Sequence, residues 1–217
     1  MDNKLIITID REFGSGGHEV GKRLAKVLGI NFYDTNFISI TVNKTGYTEE
    51  YVKNNDEKAP NFAATTLIGG NYMDLYYPDP CHKIQEAEYS TIKEIASKGS
   101  CIIVGRAADY ILRDERLIRL FIYAPFEDRV RRKLALMRSN KKENLTKAQM
   151  EKLVRQMDKH RRKFYEFYTD NKWGCRESYD MMINTSCAGI EGSVKIIKTF
   201  IDECAEESIM PDDISAD

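Results

Sequence analysis

The stretch Leu5–Gly21, LIITIDREFGSGGHEVG, constrains the fold more than any other part of the chain. An apolar run with β-branched Ile6, Thr8 and Ile9 ends at Asp10 and reads as a central buried strand. Gly14, Gly16 and Gly17 follow. Then comes an amphipathic segment, stopped by Gly29, in which Val20, Leu24, Ala25 and Leu28 share one helix face. Strand, glycine turn and helix in this order form a phosphate cradle. Glycines let backbone N–H groups point inward, and a helix start adds partial positive charge. The same residues also suit a tight strand–helix turn that needs small side chains. Ile30–Tyr33, closed by Asp34, is a second strand. A strand–helix–strand unit of this length implies a right-handed crossover and a parallel sheet.

The remaining pattern continues the theme. Strands are predicted at Cys101–Val104, Leu117–Tyr123 and Tyr179–Ile183. Helices are predicted at 35–45, 49–55, His82–Ser97, Ala107–Leu112, Phe126–Arg138, Leu145–Tyr168 (with Thr146 as its cap) and Val194–Cys204. Residues 61–80 are irregular and read as a functional or mobile loop. Five strands separated by helices give an open parallel sheet covered on both faces, with ligands expected at the strands' carboxyl ends. A chain of 217 residues fits one such domain, here 1–205, followed by an acidic tail at 206–217. A net charge of −1 provides no general attraction to nucleic acid or membrane. No apolar run approaches the ~20 residues of a membrane span, and no signal-peptide pattern is present. Five cysteines without CxxC spacing, and three lone histidines, point away from a disulfide framework and a metal cluster and toward a cytoplasmic protein.

Several residues at the strand ends invite chemistry. A standard phosphate loop reads GxxxxGK[ST]. Here the lysine slot holds Gly17, and neither His18 nor Glu19 after it carries the hydroxyl. A dinucleotide fingerprint, GxGxxG, also fails at Glu19, although Asp34 lies where that fingerprint wants an acid. Arg106 follows a buried strand and a glycine. There it either meets a ligand phosphate with its fork of donors or pairs with Asp109 or Glu115. Arg129, Arg132 and Arg161 lie on strongly basic helices that either close over a polyphosphate or present solvated faces. Asp158, three residues before Arg161, either orients that arginine or meets a sugar hydroxyl. Trp173, Tyr165, Tyr168 and Tyr179 read as packing rather than base stacking.

The run IDREFGSGGHEVGKRLAKVLGINFYDT resembles the start of bacterial cytidylate kinase. CIIVGRAADYIL is similar to that enzyme's VxxGRD segment, APFEDRVRRK to its lid entry, DKHR to its DSxR and YDMMINTS to its final strand. REFGSGG and the aromatic RRKFYEFYTDNKW resemble more closely the divergent cytidylate kinase-like family. The resemblance runs from Lys4 to about Ile201. It implies a P-loop NTPase-like three-layer α/β/α fold with a five-stranded parallel sheet. A helical acceptor-binding insert would cover about 35–98 and a helical lid about 126–170. It implies a nucleoside monophosphate kinase that transfers the ATP γ-phosphoryl group to a pyrimidine monophosphate, most simply CMP or dCMP. Magnesium would be bridged by phosphates and water, with no metal ligand from the chain.

By the same resemblance, Gly14, Ser15, Gly16 and Gly17 would cradle the triphosphate. Asp34 would lie near the acceptor monophosphate, and Arg106 would hold it. Arg129, Arg132 and Arg161 would close from the lid, and Asp158 would meet the acceptor ribose. Two departures stand out. The missing lysine needs a substitute, with Arg11 the first candidate, since Lys22 lies too far along the helix. The family's GRD reads Gly105–Arg106–Ala107, which removes an aspartate that reads cytosine in the family and leaves the base open. Asp109 is displaced by about half a turn. The alternative is a nucleotide-binding module without phosphoryl transfer. A dinucleotide-binding protein rests only on GxG and Asp34.

Overall fold

The structure, a computed structural model, describes residues 4–34, 36–50, 80–139 and 145–207. Five strands form one parallel sheet: β1 Ile6–Arg11, β2 Asn31–Tyr33, β3 Cys101–Val104, β4 Leu117–Tyr123 and β5 Met181–Asn184. Their spatial order is β2-β3-β1-β4-β5. The register sets Ile6 opposite Cys101 on one side and Leu117 on the other. The helices are α1 Gly17–Leu28, α2 Asn36–Thr45, α3 Pro80–Ser97, α4 Ala108–Ile111, α5 Phe126–Ser139, α6 Lys147–Tyr168 and α7 Thr185–Glu207.

Alternation along β1 divides the core between two faces. Ile7 and Ile9 pack with Val20 and Leu24 of α1 and with Ile197 and Ile201 of α7. Ile6 packs on the opposite face with Ile92 and Ile95 of α3 and with Ile103 and Leu112. Both sides of the central strand are therefore dry, as an all-parallel sheet requires. The three-layer α/β/α expectation is met. A third cluster is aromatic. Phe121, Phe164, Tyr165, Trp173 and Tyr179 meet beside β4, with the Phe121 and Trp173 rings edge to face at 5.2 Å.

Helix boundaries follow local chemistry. Thr146 caps α6 with a reciprocal box: the Gln149 N–H donates to Thr146 Oγ1 at 3.3 Å, and the Thr146 N–H donates to Gln149 Oε1 at 2.8 Å. The last helix departs from expectation. It begins at Thr185 rather than Val194 and is interrupted at Gly189, whose φ of 67° and ψ of 177° break the helical run. The last strand starts two residues later than expected. Arg176–Ser178 forms a 3₁₀ turn, and Asp180 is held by the Arg119 backbone before the ladder begins. The expected loop at 61–80 lies outside the described residues up to Pro80, where α3 begins; most of the expected helix at 49–55 and the tail beyond Glu207 also lie outside them.

Candidate functional site

Every strand delivers its carboxyl end to one edge of the sheet, and the chain's distinctive residues gather there. After β1, the chain turns through Gly14 (φ 83°) and Gly16 (φ 91°), both left-handed, and enters α1. Gly16 is the N-cap and supplies no side-chain acceptor. The first bond within the helix runs from the Val20 N–H to the Gly16 carbonyl. No helical carbonyl therefore reaches the amides of Gly17, His18 and Glu19. The Ser15 hydroxyl is fully buried in this turn with no hydrogen-bond partner in the protein. A buried polar atom without a partner, beside an uncapped helix start, fits an anionic ligand.

The turn is braced from outside by its carbonyls. Arg161 Nη1 donates to the Arg11 carbonyl at 3.0 Å, Arg129 Nη1 to that of Phe13 at 3.3 Å and Arg132 Nη1 to that of Gly14 at 2.8 Å. Thr185 Oγ1 donates to the Ser15 carbonyl at 2.5 Å. Asp158 takes the Phe13 N–H at 2.7 Å and pairs with Arg129. The Phe13 ring packs between α5 and α6 with Val130, Met150 and Val154, and Lys133 Nζ lies 4.4 Å from its centroid. The three arginines named from sequence, on α5 and α6, thus converge on the glycine turn, and Asp158 joins them there. Burial lowers the Arg132 pKa, although a guanidinium stays charged. Burial also raises the carboxyl of Glu12. The Ala124 N–H at 3.1 Å and nearby Arg129 pull it the other way.

Arg106 follows β3 in a left-handed conformation, φ 62°, as does Ala107, φ 51°. Its guanidinium is buried and pairs with buried Glu88 of α3, rather than with Asp109 or Glu115. Asp109 instead accepts from the Tyr165 hydroxyl at 2.6 Å, and Glu115 pairs with Lys4 at 2.8 Å. Burial raises the Asp109 carboxyl. It also raises the Tyr165 hydroxyl, helped by the adjacent carboxylate. Arg106 and Glu88 form part of the wall of a cavity of about 320 Å³, with Tyr89, Tyr110, Phe164 and Tyr168 as its aromatic sides. Glu86 and Gln85 add polar atoms from α3. A narrower polar cavity lies between Asp10, Arg11, Arg106 and Arg161. The two cavities have Arg106, Ala107 and Phe164 in common.

Asp34, at the end of β2, contacts His18 and lies 3.9 Å from Arg11 Nη2. Neither Asp34 nor Asp158 is among the residues lining the larger cavity. Trp173, Tyr165 and Tyr179 pack as expected, the Tyr179 hydroxyl donating to Asp10 at 3.0 Å, whereas Tyr168 faces the cavity. Sequence reasoning missed Glu88, Glu12, Thr185 and the aromatic wall. Glu12 and Thr185 carried a signal, since each directly follows a strand at the ligand-binding edge. The position that follows the lysine slot is His18, which contacts Asp34, and the Glu19 carboxylate beyond it pairs with Arg23 at 2.5 Å on the exposed side of α1. No cluster of metal-ligating side chains occurs among the described residues.

A sequence model of the cytidylate kinase-like family matches residues 6–187. Cytidylate kinase from Desulfurococcus amylolyticus is 24% identical over 196 residues, covering 89% of this chain and 91% of that one. The crystal structure of an uncharacterized protein from Eubacterium ventriosum superposes with a TM-score of 0.65 at 26% identity, covering 92% of this chain and 99% of that one. Shikimate kinase from Acinetobacter baumannii, in complex with shikimate, gives a TM-score of 0.52 at 18% identity, covering 96% and 97%. A gluconokinase from Sinorhizobium meliloti gives 0.54 at 11% identity, covering 94% and 98%. The last two share the fold, that of P-loop kinases.

Proposed function

The chain belongs to the cytidylate kinase-like family, and from that premise we propose that it is a nucleoside monophosphate kinase acting on a pyrimidine monophosphate, CMP or dCMP foremost. The amides at Gly14, Gly16 and Gly17 and the Ser15 hydroxyl hold the ATP phosphates. Arg129, Arg132 and Arg161 keep that turn in shape from the lid at 126–170 and add positive charge around it. The acceptor enters between the insert at 35–98 and the sheet edge. Its phosphate meets Arg106, and its base lies against Tyr89, Tyr110, Phe164 and Tyr168. In the transfer, the γ-phosphorus breaks its bond to the β–γ bridging oxygen and bonds to an oxygen of the acceptor phosphate. The electron pair stays on ADP, and no side chain need take a proton. Positioning and positive charge are therefore the protein's contribution. Magnesium would arrive on the phosphates and water, shielding their charge.

The observation that carries this reading is the position of Arg106. It lines both the larger aromatic cavity and the narrow cavity beside Arg11 and Arg161, and Arg161 in turn holds the carbonyl of Arg11 at the strand end that leads into the glycine turn. Asp158 is assigned to the turn, where it holds the Phe13 amide and Arg129. The proposed setting is the cytoplasm, with small nucleotides as partners. The test is ADP release from ATP and magnesium across all common nucleoside monophosphates. Release should require a pyrimidine monophosphate and be lost in Arg106→Ala. No turnover above solvent with any acceptor would remove the assignment. A second reading, nucleotide binding without transfer, is favoured by the absence of a side chain in the lysine slot. Calorimetric binding of ATP alongside null turnover would select it.

A further inference from the structure

The lysine slot is closed to a lysine. A Cβ at Gly17 would stand 2.6 Å from Arg11 Cβ, 3.1 Å from Arg11 Cγ and 3.3 Å from Ile122 Cβ. The Cβ of Arg11 belongs to the strand end and cannot give way as a flexible tip would. While Arg11 keeps its place, no side chain can leave α1 at position 17. The stem of Arg11 lies over the glycine instead, its side chain 11% exposed, and its guanidinium extends to 3.9 Å from Asp34. Asp34 is in turn engaged by His18. Arg11 also walls the narrow cavity with Arg106 and Arg161, and Arg161 holds the Arg11 carbonyl at 3.0 Å. Gly17 thus leaves position 17 without a side chain, and the Arg11 stem occupies the space over it.

We propose that Arg11 is the cation that holds the phosphoryl group under transfer, in place of the lysine, with Arg106 and Arg161 beside it and Asp34 as its positioning carboxylate. The inference rests on the kinase reading and deepens it. A guanidinium differs from an ammonium in consequence. Its planar fork can bridge two phosphate oxygens at once, and it cannot lose its proton near neutral pH. Asp34, 3.9 Å from Nη2, draws the Arg11 guanidinium toward it by charge. It acts through Arg11, so Asp34→Asn should lower kcat while leaving the acceptor KM unchanged.

The test uses the full chain and three variants: Arg11→Gln, Arg11→Gly and the double variant Arg11→Gly with Gly17→Lys. The double variant writes GxxxxGK across positions 11–17. Arg11→Gln keeps most of the stem, and circular dichroism should show an unchanged fold. Its turnover should fall by about a hundredfold, the cost of losing a preorganised charge donor. The double variant should exceed Arg11→Gly by at least about tenfold, because an ammonium again reaches the phosphates. A second arm needs no turnover. Calorimetry with a non-hydrolysable ATP analogue and with ADP should show Arg11→Gln losing about tenfold of its affinity for the triphosphate and little for the diphosphate. Unchanged turnover in Arg11→Gln would overturn the inference. So would an unchanged triphosphate-to-diphosphate preference, or a double variant no better than Arg11→Gly. If the wild-type chain binds the triphosphate analogue in an Arg11-dependent way yet turns over no acceptor, the kinase reading fails while the role of Arg11 as the triphosphate's cation stands.

Discussion

The glycine turn and the aromatic cavity are built on opposite principles. The turn is made of backbone. Side chains from three distant segments hold its carbonyls, and Asp158 holds one amide. The cavity is made of side chains: four aromatic rings and one buried ion pair, Arg106 with Glu88. A backbone site presents the same amides whatever the residues, so it suits the part of a substrate that never varies, a phosphate chain. A side-chain site can be re-specified by a few substitutions, so it suits the part that distinguishes one acceptor from another.

Arg106→Ala should have the largest effect on stability. It leaves Glu88 buried without a countercharge, at a cost of about 3–5 kcal/mol in urea unfolding. Replacing both partners, Arg106→Met with Glu88→Leu, should restore most of that stability and none of the turnover. A single variant as stable as wild type would show that the pair is not a structural unit. Asp158→Asn should cost about 1.5–3 kcal/mol, because a bond to a charged group and the pairing of Arg129 weaken together. It should loosen ATP binding and spare the acceptor KM. The reverse pattern would move Asp158 from the turn to the acceptor side.

Arg132→Gln removes a charged donor to the Gly14 carbonyl and should cost about 1 kcal/mol, seen as a lower urea midpoint. The smallest effect is one of pH. Burial raises the Asp109 carboxyl above its ordinary value, so the folded state keeps that proton longer than the unfolded chain does. Its contribution to stability is complete below about pH 4 and is lost as pH rises from there through the folded-state value. Asp109→Asn should flatten that decline. An unaltered slope would show that Asp109 ionises as easily folded as unfolded.

The sequence made the backbone site far more legible than the side-chain site. Ile6–Ile9, Cys101–Val104 and Leu117–Tyr123 announce buried strands by mainly apolar character, and Thr146 announces a cap. Gly14, Gly16 and Gly17 announce a turn with inward-pointing amides. All of these are local signals. Glu88 gave none. It is one of several acids on a long polar helix, and only the packing of α3 against the end of β3 brings it to Arg106. Gly17 was visible as a missing lysine, but not as a residue excluded by Arg11, because that requires the angle at which α1 leaves the strand. The early start of α7 was hidden by Gly189. It reads as a loop residue in sequence and is absorbed as a kink in the structure.

Phosphoryl transfer between two nucleotides beside Arg106 is the activity proposed for this site. Phosphorus NMR of a mixture of ATP, magnesium and CMP with the purified chain tests it most directly. ADP and CDP signals should grow in equal amounts with no inorganic phosphate, and Arg106→Ala should abolish both. Growth of ADP with inorganic phosphate, and no diphosphate of any acceptor offered, would contradict it.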